Sequence, residues 1–254
     1  LNHLAPLIVA GIVAGAMNAL AGGGSFVSLP ALIGVGLPSV QANASSTVAL
    51  FPGGLASAWT YRDGLTPIGS VALSSLLVTT FLGGLVGALL LLATASAVFD
   101  SVLPWLLLVA TVALGFGRQL GEWLRRCWKI GRATVLVIQF LLGIYGGYFG
   151  GAVGIMMVAV WGLLDGRELK SLNAPRTLMV SAANLMAVLV FSAAHAVSWP
   201  ETLAMLVGAT AGGYAGALIG RRAPARVIRV GTLLLTTFIT LSFFVKVYAP
   251  QLFS

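Results

Sequence analysis

Apolar runs of close to twenty residues recur from one end of this chain to the other, and they constrain it more than any single motif. Eight are long or clear enough to be membrane helices, at about 4–21, 44–61, 67–92, 101–117, 133–150, 177–195, 201–220 and 230–248. A helix rises about 1.5 Å per residue and the hydrocarbon core of a bilayer is about 30 Å thick, so such runs are long enough to cross or nearly cross it. Hydrophobic residues make up 59% of the 254 and charged residues only 8%, too few to clothe a water-soluble globule of this size. The expected fold is an all-α polytopic membrane protein. The run at 4–21 is not followed by a small-residue cleavage site and a soluble chain, so it is expected to stay as a helix.

Two shorter apolar runs, 25–36 and 151–164, each follow a glycine-rich break. At 12 to 14 residues they reach only about 20 Å, so they read as half-helices or returning arms of hairpins. The charges favour the hairpins. Segment 118–132 carries Arg118, Arg125, Arg126, Lys129 and Arg132; segment 165–176 carries Arg167, Lys170 and Arg176; segment 221–229 carries Arg221, Arg222, Arg226 and Arg229. Basic excess marks cytoplasmic loops, and all three segments can be cytoplasmic only if 133–150 and 151–164 go out and come back as a pair. The same reasoning puts 37–43, the Asp100 loop, the His195–Glu201 turn and both termini outside. The net charge of +8 therefore belongs to loops and not to a nucleic-acid-binding face. Cys127 is the only cysteine, so no intrachain disulfide can form.

The two halves resemble each other at a nearly constant offset. "GGGSFVSLPALIG" at 22–34 falls on "VGIMMVAVWGLL" at 153–164, with Gly24 on Gly154 at a shift of 130. "NASST" at 43–47 falls on "NAPRT" at 173–177 with the same shift, and "GGLVGAL" at 83–89 falls on "GGYAGAL" at 212–218 with a shift of 129. Three matches in order point to a duplication. Five elements per copy is an odd number, so the second copy enters the membrane from the opposite side, as in many secondary transporters. The expected organisation is an N-terminal repeat at 1–117, a basic cytoplasmic linker at 118–132 and a C-terminal repeat at 133–254.

Backbone freed from helical pairing survives in a membrane only when buried in protein or lining a watery space. Gly22, Gly23, Gly24 and Ser25, placed before the 25–36 helix, form a candidate anion nest of unpaired N–H groups aimed by a helix start. Gly151 and Gly154 repeat it more weakly. The bland reading is that these glycines only permit close packing, the role expected of Gly83, Gly84, Gly87, Gly212, Gly213 and Gly216. Asn43 and Asn173 open the next helix in each half, with Thr47 and Thr177 one turn on; helix capping or ligand binding would explain them. Ser46 pairs by the repeat with Arg176, whose guanidinium suits an oxyanion or is an ordinary loop charge. Asn18, Gln139 and Asn184 lie within helices and are expected to bond between helices, and Pro52 to kink the third element.

No Asp or Glu falls inside an expected span, which leaves few candidates for a proton relay. An anion leaving a cell that is negative inside moves down its electrical gradient, at about 2.3 kcal/mol per charge per 100 mV, so export needs no coupling ion. Uptake would need one, such as Na⁺ bound by Ser25, Ser45 or Thr47. The chain offers no cofactor motif and no metal cluster. A Ser25–His195 hydrolase is the rival from the enzyme class, disfavoured because His195 is expected near the outer face. A channel, an importer and a non-transporting membrane subunit are also compatible with these features.

The combination of Gly11, Gly15, Gly22-Gly23-Gly24, Pro30 and Leu32 with "QANASSTVALFPGG", then "GIYGGYFGGAVGIMM" at 143–157 and "LNAPRTLM" at 172–179, resembles the TauE/SafE sulfite exporter family, also called 4-toluene sulfonate uptake permeases. The resemblance covers essentially the whole chain. It implies an inner-membrane carrier of small sulfur-containing anions such as sulfite or sulfoacetate, with the lipid bilayer as its other partner. The second half departs from the pattern, with Ala152-Val153-Gly154 for the glycine triplet and Val160 for Pro30, so the first hairpin is expected to weigh more in binding.

Overall fold

The computed structural model describes residues 4–68, 70–127, 131–164, 172–222 and 224–249, and these form an all-α chain. The helices among them are α1 Leu4–Ala21, α2 Ser25–Gly34, α3 Ser39–Thr60, α4 Leu73–Ala93, α5 Ser96–Cys127, α6 Arg132–Tyr148, α7 Val153–Leu164, α8 Asn173–Ala193, α9 Trp199–Arg222 and α10 Ala225–Tyr248. Four stretches are long and apolar enough to cross a membrane: Leu73–Ala93, Ser96–Gly117, Ala174–Ala193 and Arg226–Tyr248. Leu4–Leu20, Ser25–Gly34 and Arg132–Tyr148 are apolar but shorter. The outer surface is itself apolar, with Leu234 and Phe238 of α10 and Phe116 of α5 each more than 60% exposed. Water would penalise such a face; hydrocarbon does not.

The helices follow the expected elements, with differences at their ends. The fourth element starts at Leu73 and not near residue 67, because Ile68 and Val71 bridge first, each donating its N–H to the other's carbonyl. α3 begins at Ser39, after Pro38, and continues as one helix through Pro52. α5 runs past the apolar window to Cys127, so the start of the basic segment 118–132 is helical. The side chains of Arg118, Arg125, Arg126, Asn173, Arg221 and Arg222 lie outside the described part of the molecule. So do the whole residues Lys129, Arg167 and Lys170 and the extreme termini.

Glycines decide which helices touch. α1 lies along α9 and α4 along α6. Gly11 meets Met205, Gly15 meets Ala209 and Gly216 meets Ala16, so α1 and α9 run parallel. Gly83 meets Phe140 and Gly143, and Gly87 meets Ile144 and Tyr148, so α4 and α6 also run parallel. A Cβ on Gly87 or Gly212 would overlap the opposing backbone. In lipid, close backbone approach takes over from the hydrophobic drive that holds soluble cores together. Gly83, Gly84, Gly87, Gly212 and Gly216 therefore serve packing, as expected; Gly213 is looser, with Gly15 O 3.8 Å from where a Cβ would stand.

At the centre, α3 packs on α8 and α9, and α8 packs on α4 as well. Residues 42–49 of α3 are buried on every side. Gln139 shows what this interior asks of a polar group. Its amide donates to Thr80 Oγ1 (2.8 Å), and its carbonyl accepts from Trp161 Nε1 (3.0 Å), joining α6 to α4 and α7. That is the interhelical role its place in the sequence implies.

Two alanine substitutions should move stability in opposite directions. Gly212→Ala presses into Ile12 and should cost about 1–3 kcal/mol. Gly231→Ala, with nothing within 4 Å, should gain up to about 1 kcal/mol from helix propensity. Thermal unfolding of the two variants in detergent checks both; equal midpoints would show that the α1–α9 approach is not tight.

Candidate substrate site at two helix breaks

The first break begins where α1 ends. Gly22 takes φ +75°, the left-handed conformation that terminates helices, and donates to Asn18 O at 2.9 Å. Gly24 is already right-handed and precedes α2. Phe26, Val27 and Ser28 donate back to Gly23 and Gly24 carbonyls. The N–H groups of Gly23, Gly24 and Ser25 find no hydrogen-bond partner among the described residues. Gly22 is exposed, Gly23 and Gly24 are buried and Ser25 is half-buried. A Cβ on Gly24 would stand 2.7 Å from Ala14 O and 3.1 Å from Leu50 Cδ1, in the middle of α3. These facts fit both readings of the cluster: the turn needs its glycines for packing and also leaves donors free.

The second break is built differently. Phe149 and Gly150 both donate to Tyr145 O, and Gly150 takes φ +79°. Ala152 follows at φ +56°, which costs an ordinary L-residue about 1 kcal/mol or more. Ala152 is the residue 130 positions after Gly22 and shares its positive φ without the glycine, although this break adds a second left-handed residue at Gly150. The N–H groups of Gly151, Ala152, Val153 and Gly154 have no partner among the described residues. A succession of unpaired N–H groups at a helix start can hold an anion. The stem of Arg176 lies over Gly154, with its Cγ 3.1 Å from where a Cβ would stand. Its guanidinium makes no hydrogen bond or ion pair among the described residues and lies within electrostatic reach of Tyr61.

Of the polar residues early in α3, Asn43 reaches the second break and Ser46 the helix that follows the first. Asn43 does not cap its helix, contrary to the capping reading: it sits in the second turn after Pro38. Asn173 is the first residue of α8, after Leu172 in the cap position, and its side chain lies outside the described residues. Asn43 instead reaches across to the end of α6, where its Nδ2 donates to Tyr148 O at 2.8 Å. Ser46 shares a 2.5 Å hydrogen bond with Ser28 of α2, and Ser28 also donates to Gly24 O. Thr47 donates to Asn43 O and Thr177 to Ala174 O, so both hydroxyls turn back on their own helices. Ser45 accepts from Ser198 N.

Ser28, and Ser181 of α8, whose buried Oγ has no partner among the described residues, carry no signal in the sequence, because a serine in an apolar helix looks like any other. Ser25 and His195 share no hydrogen bond among the described residues; His195 is exposed at φ +53°, ending α8. A groove of about 530 Å³ runs between α5 and α10 beside Phe116 and Arg229, but no residue of either break lines it. Openness to the surface makes a groove large; it does not supply the donors an anion needs.

A sequence model of the sulfite exporter TauE/SafE family matches residues 7–243. The chain belongs to that family. A probable membrane transporter protein of Haemophilus influenzae is 29% identical over 217 residues, covering 85% of each chain. The probable membrane transporter protein YfcA of Escherichia coli K12 is 27% identical over 220 residues, 86% of this chain and 80% of its own. ORF9 of a Sinorhizobium species, also described as a probable membrane transporter protein, is 27% identical over 227 residues, 89% and 86% of the two chains. No solved structure matches. Family and apolar helices together make this TauE/SafE member a multi-pass membrane transporter protein.

The two central asparagines should respond differently to removal. Asn43→Ala uncovers the Tyr148 carbonyl and should cost about 1–3 kcal/mol. Asn184→Ala removes an oxygen that has no partner and should cost less than about 1 kcal/mol from that group. Unfolding midpoints in detergent decide, and a reversed order would contradict the hydrogen-bond assignment.

Proposed function

We propose that this protein carries small sulfur-containing anions, sulfite or a sulfonate such as sulfoacetate, out of a bacterial cell across the inner membrane. The anion binds at the helix breaks. One observation carries the reading: unpaired N–H groups of Gly151 to Gly154 stand beside Arg176 within the interior of a transporter-family protein. Gly23, Gly24 and Ser25, following the turn at Gly22, supply a second, sparser set of donors. Ser46, Thr47, Asn43, Asn173 and Thr177 are supporting positions on the helices that flank the two turns.

Two inverted repeats, 1–117 and 133–254, around the basic linker 118–132 account well for the packing. α1 on α9 and α6 on α4 are equivalent pairs under the repeat, and α3 meets its own counterpart α8. α5 likewise meets α10, through a 3.0 Å hydrogen bond between Thr111 and Thr240, which are 129 residues apart. In this arrangement α2 and α7 are the short returning arms of the α1–α2 and α6–α7 pairs, and the other eight helices are the longer spans. Both termini face outward, and the segments 118–132, 165–176 and 221–229 face the cytoplasm.

Export follows from charge. Asp63, Asp100 and Glu201 lie at helix ends, leaving no carboxylate in mid-membrane among the described residues to couple a proton. The membrane potential alone would drive an anion outward.

The test is sulfite and sulfoacetate flux in proteoliposomes under an imposed potential. Wild type should carry one of them electrogenically, and Arg176→Gln should lose about tenfold or more, the equivalent of one charge-assisted contact. No flux of either anion by wild type would overturn the proposal. Undiminished flux in Arg176→Gln would move the site away from the second break.

A further inference from the structure

The second break is bordered by buried oxygens that lack donors. Asn43 is 1% exposed, and its NH₂ is committed to Tyr148 O, yet its Oδ1 has no partner. That hydrogen bond fixes the orientation of the amide, since turning it over would set oxygen against oxygen. Asn184 Oδ1 is also buried without a partner, 3.8 Å from where a Cβ on Gly150 would stand. Ser181 Oγ, one turn earlier on α8, is a third. Buried acceptors left unmet are uncommon and costly. Here two of them border residues 148–150, immediately before the four N–H groups that lack acceptors.

A fully deprotonated anion would satisfy only half of this arrangement. Its oxygens would accept from the N–H groups, but toward Asn43 and Asn184 it would present acceptor to acceptor. A bound cation would meet the oxygens and then face Arg176 and the positive end of α7. A ligand that accepts on one side and donates on the other satisfies both. Resting on the reading of this break as the transport site, we infer that it selects anions carrying a hydrogen-bond donor of their own: a hydroxyl, an ammonium group, or the acidic proton of a singly protonated oxyanion. The donor faces Asn43 Oδ1 and Asn184 Oδ1.

Three sulfonates of nearly equal size separate the possibilities. Ethanesulfonate has no donor, whereas 2-hydroxyethanesulfonate and 2-aminoethanesulfonate each carry one. Counterflow in proteoliposomes should exchange at least one donor-bearing compound about tenfold or more better than ethanesulfonate, because a site built to bond a donor rejects the analogue without it. In Asn184→Leu, or in the milder Asn184→Ala if the first folds poorly, the gap should close through loss of the donor-bearing compound. Equal exchange of all three by wild type would mean that water serves these oxygens; that overturns the inference and leaves the transport reading standing. Exchange that needs Na⁺ and ignores the donor would overturn it in favour of a cation. If wild type moves none of these sulfonates and neither sulfite nor sulfoacetate, the transport reading falls as well.

Discussion

A hydrogen bond between the amide of Asn43 and the carbonyl of Tyr148 spans 105 residues of sequence and closes the end of one helix with a side chain from the other half of the chain. Much of the interior depends on that kind of closure. A helix that stops inside a membrane leaves carbonyls and N–H groups with no water to receive them. Each must find a protein partner, a ligand or an enclosed water. The run 42–49 of α3 is buried on every side because it supplies such partners: Asn43 to the end of α6, Ser46 to Ser28 of α2, and Ser45 to the turn before α9. A polar helix segment at the centre and apolar side chains at the rim invert the pattern of a soluble protein.

Glycine makes that centre reachable. The α1–α9 and α4–α6 pairs approach so closely that a methyl group would strike backbone. This leaves α3 and α8 to face each other, with the first break against α3 and the second against α8. Gly24 lies against Leu50 and Gly154 against Val180, in the middle turns of α3 and α8. Gly24 and Gly154 thus face protein and not hydrocarbon, the condition under which irregular backbone is tolerated.

The two breaks share one left-handed position, Gly22 and Ala152, but not a chemistry. The first keeps its glycine triplet, and the hydroxyls of Ser28 and Ser46 beside it are already bonded to each other or to backbone. The second has lost the triplet, accepts a left-handed alanine at Ala152, and gathers Arg176, Asn43 and Asn184 around unpaired N–H groups. Counting glycines favours the first break. Counting unmet polar groups favours the second, and unmet groups are what a ligand can use.

The order and type of the helical elements were legible in the sequence, because solvent preference is a local property: twenty apolar residues seek lipid whatever surrounds them, and a glycine cluster interrupts a helix wherever it falls. The packing role of Gly83, Gly87 and Gly212 was legible for the same reason. The family followed from the spacing of these features, which needs no contact map. Helix ends were less legible, since Pro38 and the Ile68–Val71 bridge shift them by turn geometry that apolar periodicity does not register. The partners of Asn43, Ser28 and Asn184 were not legible at all. An asparagine that caps its own helix and one that closes a helix 105 residues away look the same in sequence; only tertiary packing chooses, because the choice rests on which backbone group is left unpaired nearby and how little water can reach it.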